Sequence, residues 1–285
     1  MLRNYFITAY RSLFKHKAFT FINVVGLALG ITACLLIGLF VYDELQYDKF
    51  IPESDRVYRI YNDMSAREEG SIVLPVPPMY GTTLEQSFPQ VESVVRILML
   101  QFDANNLVEA GNKRMYEKGR TYTDPGFFDI FQLPFIYGSP EKALDDPSSI
   151  VVSDKFATRV FGDVDPVGKK VSVNKEPYII KGVFSTDNKF HLPVNFIMPM
   201  VAAELPAERM KKWSWQQFYT YVKLKDGASS QLVQDKLREV VAKQIDEEQN
   251  KPFDYKPVLQ PLDEVYLYSA GFKFDQSIKG NITYV

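Results

Sequence analysis

The chain has 285 residues, a formal net charge of -2, 46% hydrophobic and 24% charged residues, and one cysteine. That length accommodates one large domain or two modest ones, and the composition is that of folded rather than disordered protein. The charge balance argues against a nucleic-acid binder, which draws on a basic face, and the lone Cys34 excludes a disulfide framework and a cysteine zinc site.

Residues 1–18 form a leader that carries Arg3, Arg11, Lys15 and Lys17 and no acidic residue. Leu2, Phe6, Ala9, Tyr10 and Leu13 recur at helical spacing, with Arg3, Arg11 and Lys15 largely off that stripe. A basic amphipathic helix in the headgroup layer and a simple positive flank both fit this pattern. Residues 19–42 then run without a charged side chain. Roughly 20 apolar residues cover the hydrocarbon core of a bilayer, and a helix satisfies its own backbone there, so a transmembrane helix is expected. Asp43, Glu44 and Asp48 follow it against Lys49 alone. The positive-inside rule therefore puts the N-terminus in the cytoplasm and the large domain outside. A cleavable signal peptide would have a shorter apolar core, and Leu39 to Tyr42 resembles no cleavage site. Ile31 to Cys34 resembles a lipoprotein box, but Leu35 to Val41 after it is apolar or glycine where a polar tether belongs.

Beyond the span, Arg56 to Tyr61 reads as a strand. After Pro75, Pro77 and Pro78, the residues Tyr80, Leu84 and Phe88 show helical spacing that Pro89 stops, and Val94 to Leu100 reads as a second strand. The same strand–helix–strand order returns later. Phe218 to Leu224 is a strand, Asp226-Gly227 a turn, and Ser229 or Ser230 a helix cap. Val233, Leu237, Val240, Val241 and Ile245 then share a helix face, and Tyr255 to Leu259 closes as a strand between Pro252 and Pro261. The two units predict a split βαβ, ferredoxin-like layer.

The stretch between them has a different texture. Thr123 or Asp124 is placed to cap a short helix with Pro125 in its first turn and Phe127, Phe128 and Phe131 inward. Ser153 is placed to cap Asp154 to Phe161, which ends at Gly162. Val171 to Val173 and Tyr178 to Phe184 form a hairpin across Asn174-Lys175-Glu176. The expected class is α+β: a leader (1–18), a transmembrane helix (19–42), and a porter-like part in two halves (43–102 and 215–285) around an inserted mixed α/β subdomain (103–214).

Few residues offer chemistry. Gly162 to Lys170 has glycines one residue too far apart for a phosphate loop, and Lys170 stands where Ser or Thr would hold a metal; a turn after a helix is expected. Asp163 and Asp165 lack the glycine and distal glutamate of a calcium loop. His191 stands alone outside the leader, as a surface or hydrogen-bonded loop residue. Asp145-Asp146 and Asp246 to Glu248 read as solvated surface. Trp213 and Trp215 read as packing at a junction of subdomains rather than as an exposed contact surface. No G-x-S-x-G, H-E-x-x-H or Walker sequence occurs, so no catalytic, metal or cofactor residue is assigned and no enzyme is expected.

In this order of segments the chain resembles the MacB/FtsX-type family of ABC transporter permeases, in the version common in Bacteroidetes. The resemblance spans essentially the whole length. It is carried by Tyr47-Asp48-Lys49-Phe50, Asp55 to Arg59 with Arg56, Tyr58 and Arg59, and Asp124 to Phe131 with Phe127 and Phe128. Ile150 to Lys170 with Phe161, Gly162, Pro166 and Gly168, Ile180 to Phe184 with Gly182, and Pro193 to Ile197 continue it. Gln260 to Leu262, Tyr266-Leu267 and Gly280-Asn281 look like the approach to a second membrane helix.

The resemblance implies a non-catalytic permease subunit in the bacterial inner membrane, with a periplasmic domain between its first and second helices. Implied partners are a cytoplasmic ABC ATPase subunit, a second permease copy, membrane lipid, and a periplasmic or outer-membrane protein. ATP-driven motion would pass to the outer domain for export, extrusion or efflux (mechanotransmission). Only about a dozen residues, Pro52 among them, separate Tyr42 from the strand at Arg56, which suits a stiff coupling. The chain ends at Val285, before the further helices of the family, so the sequence is expected to be the N-terminal part of such a subunit. The rival reading is a single-span, membrane-anchored sensor or binding module outside the membrane. It would need a preformed pocket with converging polar groups and a cytoplasmic signalling module, for which the leader leaves no room. An anchored hydrolase would need a catalytic constellation.

Overall fold

The computed structural model describes residues 2–65, 71–99, 104–249 and 255–285. Leu100 and Pro252, and the side chains of Leu2, Arg3, Phe6, Ala9 and Asp246 to Glu248, lie outside what is described. The chain divides into two compact units, Met1–Gln46 with Val285 and Tyr47–Tyr284.

The first unit is a helix pair. α1 spans Leu2–Lys15 and α2 spans Lys17–Glu44. α2 has 28 residues and contains the whole uncharged run. At 1.5 Å per residue it is about 42 Å long, more than the ~30 Å hydrocarbon core. It buries no residue within the unit, and it is the one helix among the described residues long and apolar enough to cross a membrane. Its hydroxyls are satisfied locally: Thr32 Oγ1 donates to the Ala28 carbonyl at 2.8 Å, as apolar surroundings require. Thr20 Oγ1 donates to the Leu13 carbonyl at 2.9 Å, so the first turn of α2 takes up a carbonyl from the last turn of α1.

The second unit is built on one mixed sheet. β1 (Val57–Asp63), α3 (Pro78–Ser87) and β3 (Val91–Leu98) form the first βαβ unit, with the two-residue β2 (Ile72–Val73) paired to β1. β12 (Phe218–Leu224), α7 (Ser230–Gln249) and β13 (Lys256–Pro261) form the second. Their order is β13-β1-β12-β3, antiparallel throughout. This is the ferredoxin-like interleaving, in which each βαβ unit places a strand inside the other. α3 and α7 cover one face, and Tyr80, Leu84, Val233, Leu237, Val241 and Ile245 form its core with Ile60 and Val222. Ser229 caps α7 through Leu232 N–H, at 3.3 Å.

The insertion leaves after β3 and returns at β12, whose Leu98 and Phe218 face one another in register. It contains β4 (Asn106–Ala110), β5 (Lys113–Glu117), β6 (Arg120–Thr123), α4 (Phe127–Phe131), β7 (Phe135–Gly138), β8 (Ser149–Ser153), α5 (Asp154–Phe161), β9 (Lys170–Val173), β10 (Glu176–Phe184), β11 (Phe196–Pro199) and α6 (Ala207–Met210). From β3 the sheet continues β6-β11-β8-β10-β9-β4-β5. The expectation of two βαβ units enclosing a mixed α/β insertion is met.

Ser153 caps α5, its Oγ accepting from Phe156 N–H at 3.0 Å. The hairpin turns through Asn174 and Lys175, both at positive φ. The expected cap of α4 is not made. Gly126 stands at the cap position, because Asp124 turns its carboxylate to Arg96 (2.8 and 3.0 Å) and Thr123 donates to the Arg96 carbonyl. A bidentate pair with a full positive charge outcompetes a single bond from a backbone N–H. The β4–β5 hairpin, β8 and a helix α8 at Leu262–Tyr268 were not anticipated from the sequence. α5 covers a second core that includes Phe156, Val160, Ile180 and Phe196. The third and largest core joins the two parts: Val57, Val95, Tyr219 and Tyr221 of the ferredoxin-like layer pack with Phe127, Phe131, Val151 and Ile197 of the insertion.

Candidate functional site

Asp48, in the first turn of the outer unit, has a φ of 62°, a left-handed backbone uncommon for a non-glycine residue. Its N–H donates to the Lys189 carbonyl at 2.9 Å, and its carbonyl accepts from Ile51 N–H at 3.1 Å. The tight turn so formed sends the carboxylate inward, where the residue is 3% exposed. Oδ1 accepts from the His191 N–H at 3.1 Å and lies 2.8 Å from the imidazole Nδ1. Nε2 lies 2.6 Å from the Tyr221 hydroxyl on β12. Burial pushes the Tyr221 phenol strongly upward, so it keeps its proton. The Asp48 carboxylate only accepts, which assigns an imidazole proton to Nδ1 facing it. His191 is fully buried, which corrects the surface option; Phe131 and Phe190 stand edge-on around it.

A second node lies on β1. Arg59 is fully buried and uses all three guanidinium nitrogens. Nε and Nη2 donate to Gln260 Oε1 (3.2 and 2.8 Å), Nη2 to Ser269 Oγ (2.6 Å), and Nη1 to Asp275 Oδ2 and Ser277 Oγ (both 3.3 Å). The guanidinium carbon also lies 5.4 Å from the centre of the Phe272 ring. The Asp275 side chain is itself fully buried and has Lys279 as a more distant second partner at 3.9 Å, so the Arg59 charge is met chiefly by Asp275. Arg59 thereby fastens the returning segment, residues 269–281, against the sheet.

That segment is held along its length. Lys273 N–H donates to the Ile72 carbonyl at 2.8 Å, and Ile278 N–H to the carbonyl of His191 at 2.7 Å. Tyr219 Oη donates to the Phe274 carbonyl at 2.9 Å and accepts from Gln276 N–H at 2.7 Å. Tyr266 of α8 stacks on Tyr47, ring centres 3.5 Å apart. The outgoing turn 47–51 and the returning segment therefore meet around one residue: His191 bonds Asp48 through its ring and amide, and Ile278 through its carbonyl.

Beside this junction a cluster of four charges fixes the start of β1. Arg56 pairs with Glu53 and with Glu92 (2.8 Å), and Lys223 with Glu53 (2.6 Å) and Glu92 (3.0 Å). Lys223 first, then Arg56, holds both carboxyls below their ordinary value.

Of the residues singled out by sequence, Asp48, Phe50 and Arg59 come to the junction, with Phe50 edge-on to Phe190. Phe127 and Phe128 lie in the core beneath it, and Tyr58 packs with the helical face. Phe161, Gly162, Pro166 and Gly168 are elsewhere, in the turn after α5. There Gly168 N–H donates to the Ile180 carbonyl at 2.8 Å and Asp165 Oδ1 accepts from Val167 N–H. Gly182 is a packing position, since a Cβ there would collide with the Phe135 ring. Arg11, Lys15 and Lys17 are exposed in the first unit. Trp213 is buried with the helical face, 6.1 Å from Tyr80.

Tyr221, Asp275 and Ser277 escaped the sequence reading, whereas His191 entered it as a surface or hydrogen-bonded loop residue and is the hydrogen-bonded one. Only the alternation of Phe218 to Leu224, which places Tyr219 and Tyr221 on one face, pointed to any of them. The Asp–His–Tyr chain is closed to solvent, so its chemistry is that of a buried fastening. No group of His, Cys, Asp and Glu that could hold a metal ion occurs among the described residues. A cavity of ≈300 Å³ adjoins the junction, lined by Tyr47, Phe50, Phe184, Phe190, Lys155 and Asp187 among others.

A family model described as the MacB-like periplasmic core domain matches residues 20–240. Among solved structures the chain is similar to a domain assigned to a permease protein from Porphyromonas gingivalis, with a TM-score of 0.60, 20% identity, and coverage of 82% of this chain and 97% of that one. It is also similar to the periplasmic region of MacB from Actinobacillus actinomycetemcomitans, with a TM-score of 0.50, 16% identity, and coverage of 74% and 91%. At such identities the likeness is one of fold. No curated protein sequence matches.

Proposed function

Because the chain belongs to the MacB-like periplasmic core domain family of ABC-type permeases, we propose that it conveys ATP-driven motion across a membrane rather than catalysing a reaction. In this reading α2 crosses the inner membrane with its N-terminus in the cytoplasm, and the outer unit is the moving part. A cytoplasmic ABC ATPase subunit supplies the hydrolysis, a second permease copy completes the pair, and a periplasmic or outer-membrane partner receives the motion. The subdivision of the outer unit into a porter-like part and an insertion belongs to the same proposal.

The observation that carries it is the double fastening of the junction. A lever transmits displacement only if its attachments do not yield. Here the turn that opens the unit is bound through Asp48 to His191 of the insertion and to β12, while the returning segment is bound through Arg59 to β1. These contacts are buried and charge-assisted, which makes them costly to break.

The test is the distance between spin labels at exposed Glu141 in two copies, with the chain reconstituted beside its ATPase in vesicles and Cys34 replaced by Ser. ATP should change that distance. Arg59→Ala should suppress the change while hydrolysis continues. A complex that hydrolyses ATP with no change in distance would refute the proposal.

The cavity beside Phe50 favours one second reading, an anchored binding module, because it combines aromatic walls with Lys155 and Asp187. Saturable binding of a small amphiphile there, unaffected by ATP, would support that reading instead.

A further inference from the structure

The groove between α1 and α2 has a composition that the transmission of motion does not use. It encloses about 340 Å³ and is lined by Leu13, His16, Phe19, Thr20, Asn23, Val24 and Leu27. Thr20, Asn23, Val24 and Leu27 follow the i, i+3, i+4, i+7 stripe of α2, so that stripe grades from polar to apolar, with Leu13 and Phe19 adding apolar surface beside His16. The bond from Thr20 to the Leu13 carbonyl fixes the two walls against each other. Arg11, Lys15 and Lys17 are exposed, the last two flanking His16 in the chain, and no acidic residue precedes Asp43.

We infer that this groove holds one anionic phospholipid. The headgroup would lie among Lys15, His16, Lys17 and the Asn23 amide, with the start of an acyl chain along Val24 and Leu27. The graded stripe matches an amphiphile, and the unopposed cations match its charge. A free phosphate would use the polar end alone and leave Val24 and Leu27 uncovered. The inference rests on α2 crossing the membrane with its N-terminus at the cytoplasmic face, where anionic lipid attracts basic segments.

The experiment takes the full chain from carbonate-washed membranes into nanodiscs of mixed phosphatidylcholine and phosphatidylglycerol, and counts retained lipids by native mass spectrometry. Phosphatidylglycerol should be retained over phosphatidylcholine, and Lys15→Gln with Lys17→Gln should lower the preference about five-fold per residue. Leu27→Trp, which fills the groove and leaves every cation in place, should abolish retention. Leu36→Trp, on an exposed site of the same helix outside the groove, should not. Equal retention of both lipids, retention unchanged in Leu27→Trp, or lipid-free dimers with the groove closed by a second copy would each overturn the inference. Release of the chain by the carbonate wash would instead overturn the membrane-crossing reading beneath it.

Discussion

Asp48 shows how much can depend on one side chain. Asp48→Ala leaves the imidazole N–H and the His191 amide without an acceptor inside a closed core. Buried donors left unmade cost on the order of 1–3 kcal/mol each, so a loss of about 3 kcal/mol is expected in denaturant unfolding followed by tryptophan fluorescence. Arg59→Ala should cost about 3 kcal/mol, because the buried Asp275 carboxylate is then left with only the longer pair to Lys279 at 3.9 Å. Arg59→Met with Asp275→Leu should recover most of that, since an apolar pair carries no such penalty. If the double variant is no more stable than Arg59→Ala, the ion pair is not what Arg59 contributes.

At the scale of elements, local rules decide α5 and fail at α4. Ser153→Ala should cost about 1 kcal/mol through the lost cap, and somewhat more because the hydroxyl also donates to Asn195 Oδ1 at 2.7 Å. The start of β1 should be sensitive to acid. Glu53 and Glu92 are held below the ordinary 4.5 by Lys223 and Arg56. A depressed carboxyl stabilises the fold above its unfolded value and loses that contribution as pH falls through the folded one. Stability should therefore decline below about pH 4.5. Lys223→Met should flatten that acid limb in thermal melts across pH 3–6, whereas an unchanged limb would assign it to other carboxylates.

At the scale of the whole molecule, the shared core makes the outer unit one body despite its two-part sequence. Its unfolding should be a single transition, with tryptophan fluorescence from the helical face and amide exchange in α5 reporting the same free energy; separate transitions would mean that the insertion opens alone. The amino-acid sequence by itself determined what short-range physics controls: the uncharged run that becomes α2, the two βαβ units, the Ser153 cap and the α5 turn. These follow from periodicity, capping and chain length, each legible in a contiguous stretch of sequence. Asp48 was legible only as part of a motif, without its task. The meeting of Asp48 with His191 and Tyr221, and of Arg59 with Asp275, joins residues separated by 30 to 216 positions. Nothing in a local pattern encodes such contacts, because they arise only when the sheet interleaves its strands and the shared core closes around them.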